Sequence, residues 1–432
     1  MEQLLQHVWK YRLFDTGTMY TTDGVSFELI DPGRHNLNSG PDFFNAKIRM
    51  GDTVWAGNVE IHQSSSDWIA HRHDRNPAYD NVILNVVMRH DLDLVTTNGR
   101  PIRQFVMRIP DSILQDYEFL SARKEGCIPC AFRLPDIPSL LKADWITSLA
   151  MQRLMNKADR IRLLSERYAS NWEEAFYISL CRSFGTGVNG DAFERLGRSL
   201  PFNYLLKHID SLLQTEAFLF GQAGFLEAPY EHPYYILLQR EYALLRHKFR
   251  LNPLPASCWR FFRLRPASFP HLRIATLASL LHHHKRLFSA FLEADSLDDI
   301  RKLFDVRLSY YWEKHYRFCN EAEEQVNGIG LRTIDSILIN TLAPLLFAYG
   351  ESTGNHLLEE RATAILEELP PENNRYVRGW REVGMRPLNA FESQALLELQ
   401  REYCDARKCL YCRIGHQLLA RGESPSPDAR IL

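Results

Sequence analysis

Pro41-Asp42-Phe43-Phe44-Asn45-Ala46-Lys47-Ile48-Arg49-Met50, then Gly51-Asp52, then Thr53-Val54-Trp55-Ala56-Gly57-Asn58-Val59-Glu60-Ile61-His62, is the stretch on which the fold turns. Phe44, Ala46 and Ile48 alternate with polar neighbours, the period of a β-strand, and Gly51-Asp52 is a turn. Asp42 opens the first strand, and Glu60 and His62 close the second. Residues two apart on a strand share a face, so Glu60 and His62 project together. An antiparallel hairpin then sets Asp42 beside Glu60. Two carboxylates so placed suit Mg²⁺ or Mn²⁺, and such a pair serves phosphodiester hydrolysis by lowering the pKa of an attacking water. Solvated turn carboxylates are the competing reading of the spacing alone. Gly40 and Gly57 permit close backbone approach around the pair.

Outward from the hairpin, Glu2–Phe14 reads as an amphipathic helix with Leu4, Leu5, Val8 and Trp9 on one side. Val25–Ile30 is a strand ended by Asp31-Pro32-Gly33. Ser64–Tyr79 is expected to carry a helix begun at Ser66 or Asp67. Val82–Met88 is a nearly continuous apolar run, the mark of a strand covered on both faces, and Ile102–Ile109 is one more strand. After Pro110 the periodicity is helical, with Thr147–Leu164 and Thr333–Leu342 as clear helices. Gly185–Gly190 is a loop between helices and Ser424-Pro425-Ser426-Pro427 a frayed tail. The fold class is α+β: a mixed sheet flanked by helices in residues 1–125, then a mainly helical region 126–432, with an internal break near 253–270.

The chain has 432 residues, 45% hydrophobic and 24% charged, which excludes a disordered, collagenous or disulfide-scaffold protein. No uninterrupted apolar run approaches ~18 residues, so no membrane partner is expected. The start lacks the pattern of a secretory signal, and a cytoplasmic location follows. Eight cysteines in such a chain read as thiols or ligands. Lys+Arg 51 against Asp+Glu 53 nearly cancel, but residues 242–292 hold nine Lys/Arg and no acid.

Pro41-Asp42 followed by Glu60-Ile61-His62, in the order helix, three strands, helix, strand, resembles the PD-(D/E)XK nuclease superfamily. The resemblance implies Asp42 and Glu60 as metal ligands and His62 in the position of the usual lysine. An imidazole there either handles the water near neutral pH or marks lost catalysis. Lys47 is a candidate migrated lysine, though five residues from Asp42 it should face the other way unless a bulge intervenes. Five of the sixteen histidines (His35, His62, His71, His73, His90) fall between 35 and 90. His71 and His73 are candidate further ligands, and nitrogen donors favour Zn²⁺ or Mn²⁺ over Mg²⁺. The longer string Gly40–Phe43, Gly57–His62, Ser66–His73, Tyr79 and Val82–Val87, with Phe220–Gly224 and Phe347–Gly350, resembles an uncharacterised bacterial family catalogued as domain of unknown function two-eight-five-one.

Residues 258–273 interleave Arg260, Arg263, Arg265 and Arg273 with four aromatics. Arginine binds phosphates bidentately and rings stack on unpaired bases, so nucleic acid is the expected partner; aromatics in the core with solvated arginines are the alternative. Cys404-x4-Cys409-x2-Cys412-x3-His416 has ligand spacing. A helix after Arg407 would put Cys409, Cys412 and His416 near one face, with Cys404 reaching in from the preceding turn, as a four-ligand structural zinc site. The same run fits an iron–sulfur spacing if Cys127 or Cys130 adds a thiolate, and buried free thiols are the third reading. The chain lacks a Walker-type loop, so ATP is not expected by that route. The expected function is a metal-dependent nuclease, with an inactive nucleic-acid- or protein-binding scaffold as the alternative.

Overall fold

Leu4, Leu5, Val8 and Trp9 recur at helical spacing, and Glu2–Tyr11 winds into helix α1 with all four side chains fully buried. The helix stops short of Phe14 because Arg12 turns left-handed (φ 56°) and its N–H closes back on the last carbonyls. The computed structural model describes residues 1–122, 127–185 and 187–421. The expected boundary at 125, Thr186 of the expected glycine loop and the tail at Ser424–Pro427 lie outside the described residues.

The strands that follow are β1 (Met19–Tyr20), β2 (Ser26–Asp31), β3 (Arg34–His35), β4 (Phe43–Met50) and β5 (Thr53–Ser64). After them come the short helix α2 (Asp67–Ala70) and strands β6 (Val82–Arg89), β7 (Leu94–Val95), β8 (Pro101–Ile102) and β9 (Gln104–Val106). One seven-stranded sheet runs β1-β2-β4-β5-β6-β9, with β3 paired to β4. The β2–β4 and β4–β5 pairs are antiparallel, whereas β5–β6 and β6–β9 are parallel. The sheet is therefore mixed, as the sequence implies. Four central residues of β6 are buried in succession, as a strand covered on both faces requires.

Two local details differ from the periodic reading. The inward residues of β4 are Phe43, Ala46, Ile48 and Met50, not Phe44. Asn45 takes a left-handed conformation (φ 56°) and the register with β5 shifts between Phe43 and Ala46, a bulge that resets the alternation. Between Ser64 and Tyr79 the helix lasts one turn and is followed by two 3₁₀ turns, His73–Arg75 and Pro77–Tyr79. Arg72, left-handed at φ 62°, is where the helical path ends.

By contact, the chain divides into two units. Among the described residues, one comprises Met1–Trp145, Gly379–Met385 and the segment from Leu399; the other comprises Ile146–Arg378 and Arg386–Glu398. The C-terminal segment therefore belongs with the sheet, which no local pattern signals. The second unit is helical throughout most of its length. Its run Leu331–Thr353 is long and apolar enough to cross a membrane, but 67% of its most apolar window is buried within the protein, as in a core helix. Gln394 and Glu398 bind Arg153 there at 2.7 and 2.9 Å, so the long helix Ser139–Arg167 is fixed by polar bonds as well as apolar packing.

Gly57, in β5, lies against β6. A Cβ there would run into Ile83 Cγ2 and stand 2.9 Å from the Asn81 carbonyl oxygen. Gly57→Ala is expected to destabilise the protein by about 1–3 kcal/mol through overpacking, measured by denaturant unfolding; an unchanged midpoint would show that the two strands separate freely here.

Candidate metal centre

The β4–β5 register pairs Phe43 with Val59, so Asp42 and Glu60 are neighbours across the ladder, as the hairpin reading requires. They are tied to each other's main chain. The Asp42 N–H donates to Glu60 Oε2 at 3.0 Å, and the Ile61 N–H donates to Asp42 Oδ2 at 2.9 Å. The second oxygen of Asp42 accepts from Gln6 Nε2 of α1 at 2.8 Å. Asp42 is thus engaged on both oxygens, whereas Glu60 Oε1 faces the histidines.

His62 is completely buried. Its Nδ1 lies 2.9 Å from Asn85 Oδ1, Asn85 Nδ2 donates to Gln104 Oε1 at 3.4 Å, and Gln104 Nε2 donates to the Leu92 carbonyl at 2.8 Å. A carbonyl only accepts, so it fixes the direction of the whole relay. Gln104 must present its NH₂ to Leu92 and its oxygen to Asn85. Asn85 then presents its oxygen to His62, and Nδ1 must carry the proton. The lone pair is left on Nε2, which is buried and has no hydrogen-bond partner. That is how a protein prepares an imidazole for a metal.

Two more imidazoles converge on it. One ligand nitrogen from each of His62, His71 and His73 falls within 4.8 Å of the others. Regular helix would have set His71 and His73 on different sides; the left-handed Arg72 between them turns both toward His62. His73 Nε2 stands 3.2 Å from Glu60 Oε1, and His62 Nε2 3.8 Å. The shorter contact still leaves His73 Nε2 without a hydrogen bond, because the alignment is wrong. Ligands of one cation at about 2.1 Å stand roughly 3.0–3.5 Å apart; the His73–Glu60 contact has that spacing, the His62–Glu60 contact is wider, and the imidazole nitrogens lie within 4.8 Å of one another. Trp68 sets its edge against both rings, and Tyr79 stacks on His73 with 3.8 Å between centroids. These aromatics hold the His62 and His73 rings in place.

Burial, more than any other cause, lowers His62 and His73 to about 4, so both are neutral near pH 7. Burial raises Asp42 and Glu60 above the usual carboxylate range, aided at Asp42 by the Glu60 charge and at both by Glu2 in the first turn of α1. Neutral nitrogens beside carboxyls that hold protons reluctantly released are the charge state of a cation site awaiting its ion. The donors His62, His71, His73 and Glu60, with Asp42 adjacent, fit Mn²⁺ or Zn²⁺ better than Mg²⁺.

Other sequence candidates lie elsewhere. His35 stacks on Phe43, and His90 pairs with Asp93 at the surface. A bulge does precede Lys47, but Lys47 is exposed and pairs with Ala56, four residues before Glu60 on β5, or roughly 13 Å along the strand. It cannot stand in for the missing lysine. Arg260, Arg263 and Arg265 are exposed, Arg263 lying over the Phe262 ring. Arg273 is not on that surface; it is buried in the helix Pro270–His283, where it donates to Thr333. His416 also leaves its expected group. Cys412 is extended (φ −89°, ψ 130°), so Cys409 and His416 share no continuous helix, and His416 instead meets His7 and Tyr11 of α1. Sequence reasoning missed Gln6, Asn85 and Gln104; an asparagine inside the apolar run Val82–Met88 was the available signal.

The family described as "Protein of unknown function (DUF2851)" matches residues 2–375. No curated protein and no solved structure matches the chain.

The pKa shifts give a signed expectation. The raised carboxyls bind more protons folded than unfolded, so the metal-free protein should lose stability as pH rises through neutrality. The lowered histidines act in the opposite sense, but only below their unfolded value of 6.5. Above about pH 6.5 the melting temperature should therefore fall with pH in chelator, and Mn²⁺ should restore it increasingly as pH rises. A Mn²⁺ effect that shrinks with rising pH would contradict this charge state.

Proposed function

The chain belongs to the DUF2851 family, whose description names no activity, and from the site itself we propose that it is a metal-dependent phosphodiesterase acting on DNA or RNA. The observation that carries the reading is the buried, unpartnered Nε2 of His62, converging with His71, His73 and Glu60 Oε1. With the two-residue strands β1 and β3 set aside, the order α1, β2, β4, β5, α2, β6 supports the PD-(D/E)XK resemblance.

A divalent cation held there supplies Lewis acidity at a phosphoryl oxygen and a lowered pKa for the attacking water. Glu60 and the three imidazoles would hold the ion. Asn85 and Gln104 keep the His62 lone pair available. Asp42, beside them with its proton affinity raised by burial, takes the proton from the attacking water. In this role His62 is a ligand and not the base that replaces lysine. Independently, the exposed Arg260, Arg263 and Arg265 provide bidentate donors for phosphates.

The test is cleavage of single- and double-stranded DNA and RNA by protein loaded with Mn²⁺ or Zn²⁺. Asp42→Asn should slow cleavage by about 10²–10⁴ with metal affinity kept. Asn85→Leu should weaken metal binding by about 10–100-fold. The second reading, a binding scaffold, is favoured by the distance of Lys47 from the site. Metal-loaded protein that binds nucleic acid with strong salt dependence, weakened by Arg263→Ala, yet cleaves none of the four substrates, would establish it in place of the first.

A further inference from the structure

Outside the histidine centre, the described residues include a group of four thiols drawn from two segments. Cys404 ends the helical segment Leu399–Cys404, Cys409 opens the 3₁₀ turn Cys409–Tyr411, and Cys412 follows it. The fourth comes from far away in sequence. Cys130 caps the 3₁₀ turn Ala131–Asp136, where buried Arg133 is held by Asp116 at 3.2 Å. Both segments belong to the same unit of the protein. All six pairings among Cys130, Cys404, Cys409 and Cys412 are close enough for their sulfurs to interact electrostatically. None is disulfide-bonded; Cys130 and Cys412 are buried, and Cys127 is exposed.

The surroundings are those of ligated sulfur. The backbone N–H groups of Ile414 and Gly415 point to the Cys412 sulfur. So does the indole N–H of Trp145, which has no other acceptor. Gly415 is required by the wrap of the loop, because a Cβ there would collide with the Cys409 carbonyl. Tyr403 packs edge-on against Trp145, and Arg413 lies over the same indole. Cys130 and Cys412 are buried and Cys404 and Cys409 half-buried, so sulfurs grouped here are largely withdrawn from water. A metal would satisfy them as thiolates.

The spread of the sulfurs selects the metal. Four thiolates on one zinc at about 2.3 Å would stand roughly 3.8 Å apart. Among the described residues, however, only the three imidazoles bring three or more ligand atoms within 4.8 Å of one another. No three of these sulfurs lie mutually within 4.8 Å, and pairwise neighbours so arranged suit a polynuclear centre. We propose that Cys130, Cys404, Cys409 and Cys412 hold an iron–sulfur cluster that fastens the C-terminal segment to the turn after α3 (Asp111–Ser121).

The full-length protein, purified without oxygen, should be brown and contain iron and acid-labile sulfide in comparable molar amounts. Cys130→Ser and Cys404→Ser should each lose the iron and the colour, while His416→Ala, Cys127→Ala and Glu60→Gln keep both. The last control separates this centre from the histidine site. If the serine variants fail to fold, iron and sulfide analysis of the unaltered protein decides alone. A folded, colourless protein carrying zinc, four free thiols or a disulfide among these cysteines overturns the assignment.

Discussion

The Leu92 carbonyl can only accept a hydrogen bond, and the chemistry of the sheet follows from that asymmetry. Through Gln104 and Asn85 it dictates that His62 carries its proton on Nδ1 and leaves Nε2 bare. The relay exists because β5, β6 and β9 run parallel in a register that places Glu60, Asn85 and Gln104 in one row. A one-residue slip of β6 would turn Asn85 to the opposite face and leave His62 free to choose its tautomer. Fold and site are therefore coupled at the level of hydrogen-bond direction.

Around this fixed lone pair, the other groups are placed by main-chain constraints. Asp42 and Glu60 exchange bonds with each other's strand, which consumes one oxygen of each and aims Glu60 Oε1 at the imidazoles. Arg72, in a costly left-handed conformation, folds His71 and His73 back over β5. Conformational strain of about 1–3 kcal/mol at one residue is sustained where the surrounding contacts over-determine it, and here Trp68 and Tyr79 do so by packing against the rings. The result is three nitrogen donors and a carboxylate, a harder-to-satisfy set than two carboxylates and one that favours a transition metal.

The thiol group shows the same dependence on distant chain. Cys404, Cys409 and Cys412 are local in sequence, but the residue that completes them is Cys130 and not His416. The reason is a single backbone conformation: the extended Cys412 breaks the helix that would have carried His416 onto the same face. His416 then packs with His7 and Tyr11, tying the final helix to α1.

Period-two alternation, the Gly51-Asp52 turn and the apolar run of β6 were enough to read the hairpin, the two-sided central strand and the pairing of Asp42 with Glu60, because those depend on neighbours within one ladder. The helical character beyond Pro110 was equally local. What the tertiary structure alone decided were quantities that close over long separations: the bulge at Asn45, the left-handed Arg72, the relay from Leu92 to His62, the burial of Arg273 and the choice of Cys130 over Cys127 as neighbour of the C-terminal cysteines. Residue type and spacing state which donors a chain owns. Only packing determines which lone pairs are left unspent, because a hydrogen bond made to a distant carbonyl leaves no periodic trace in the sequence.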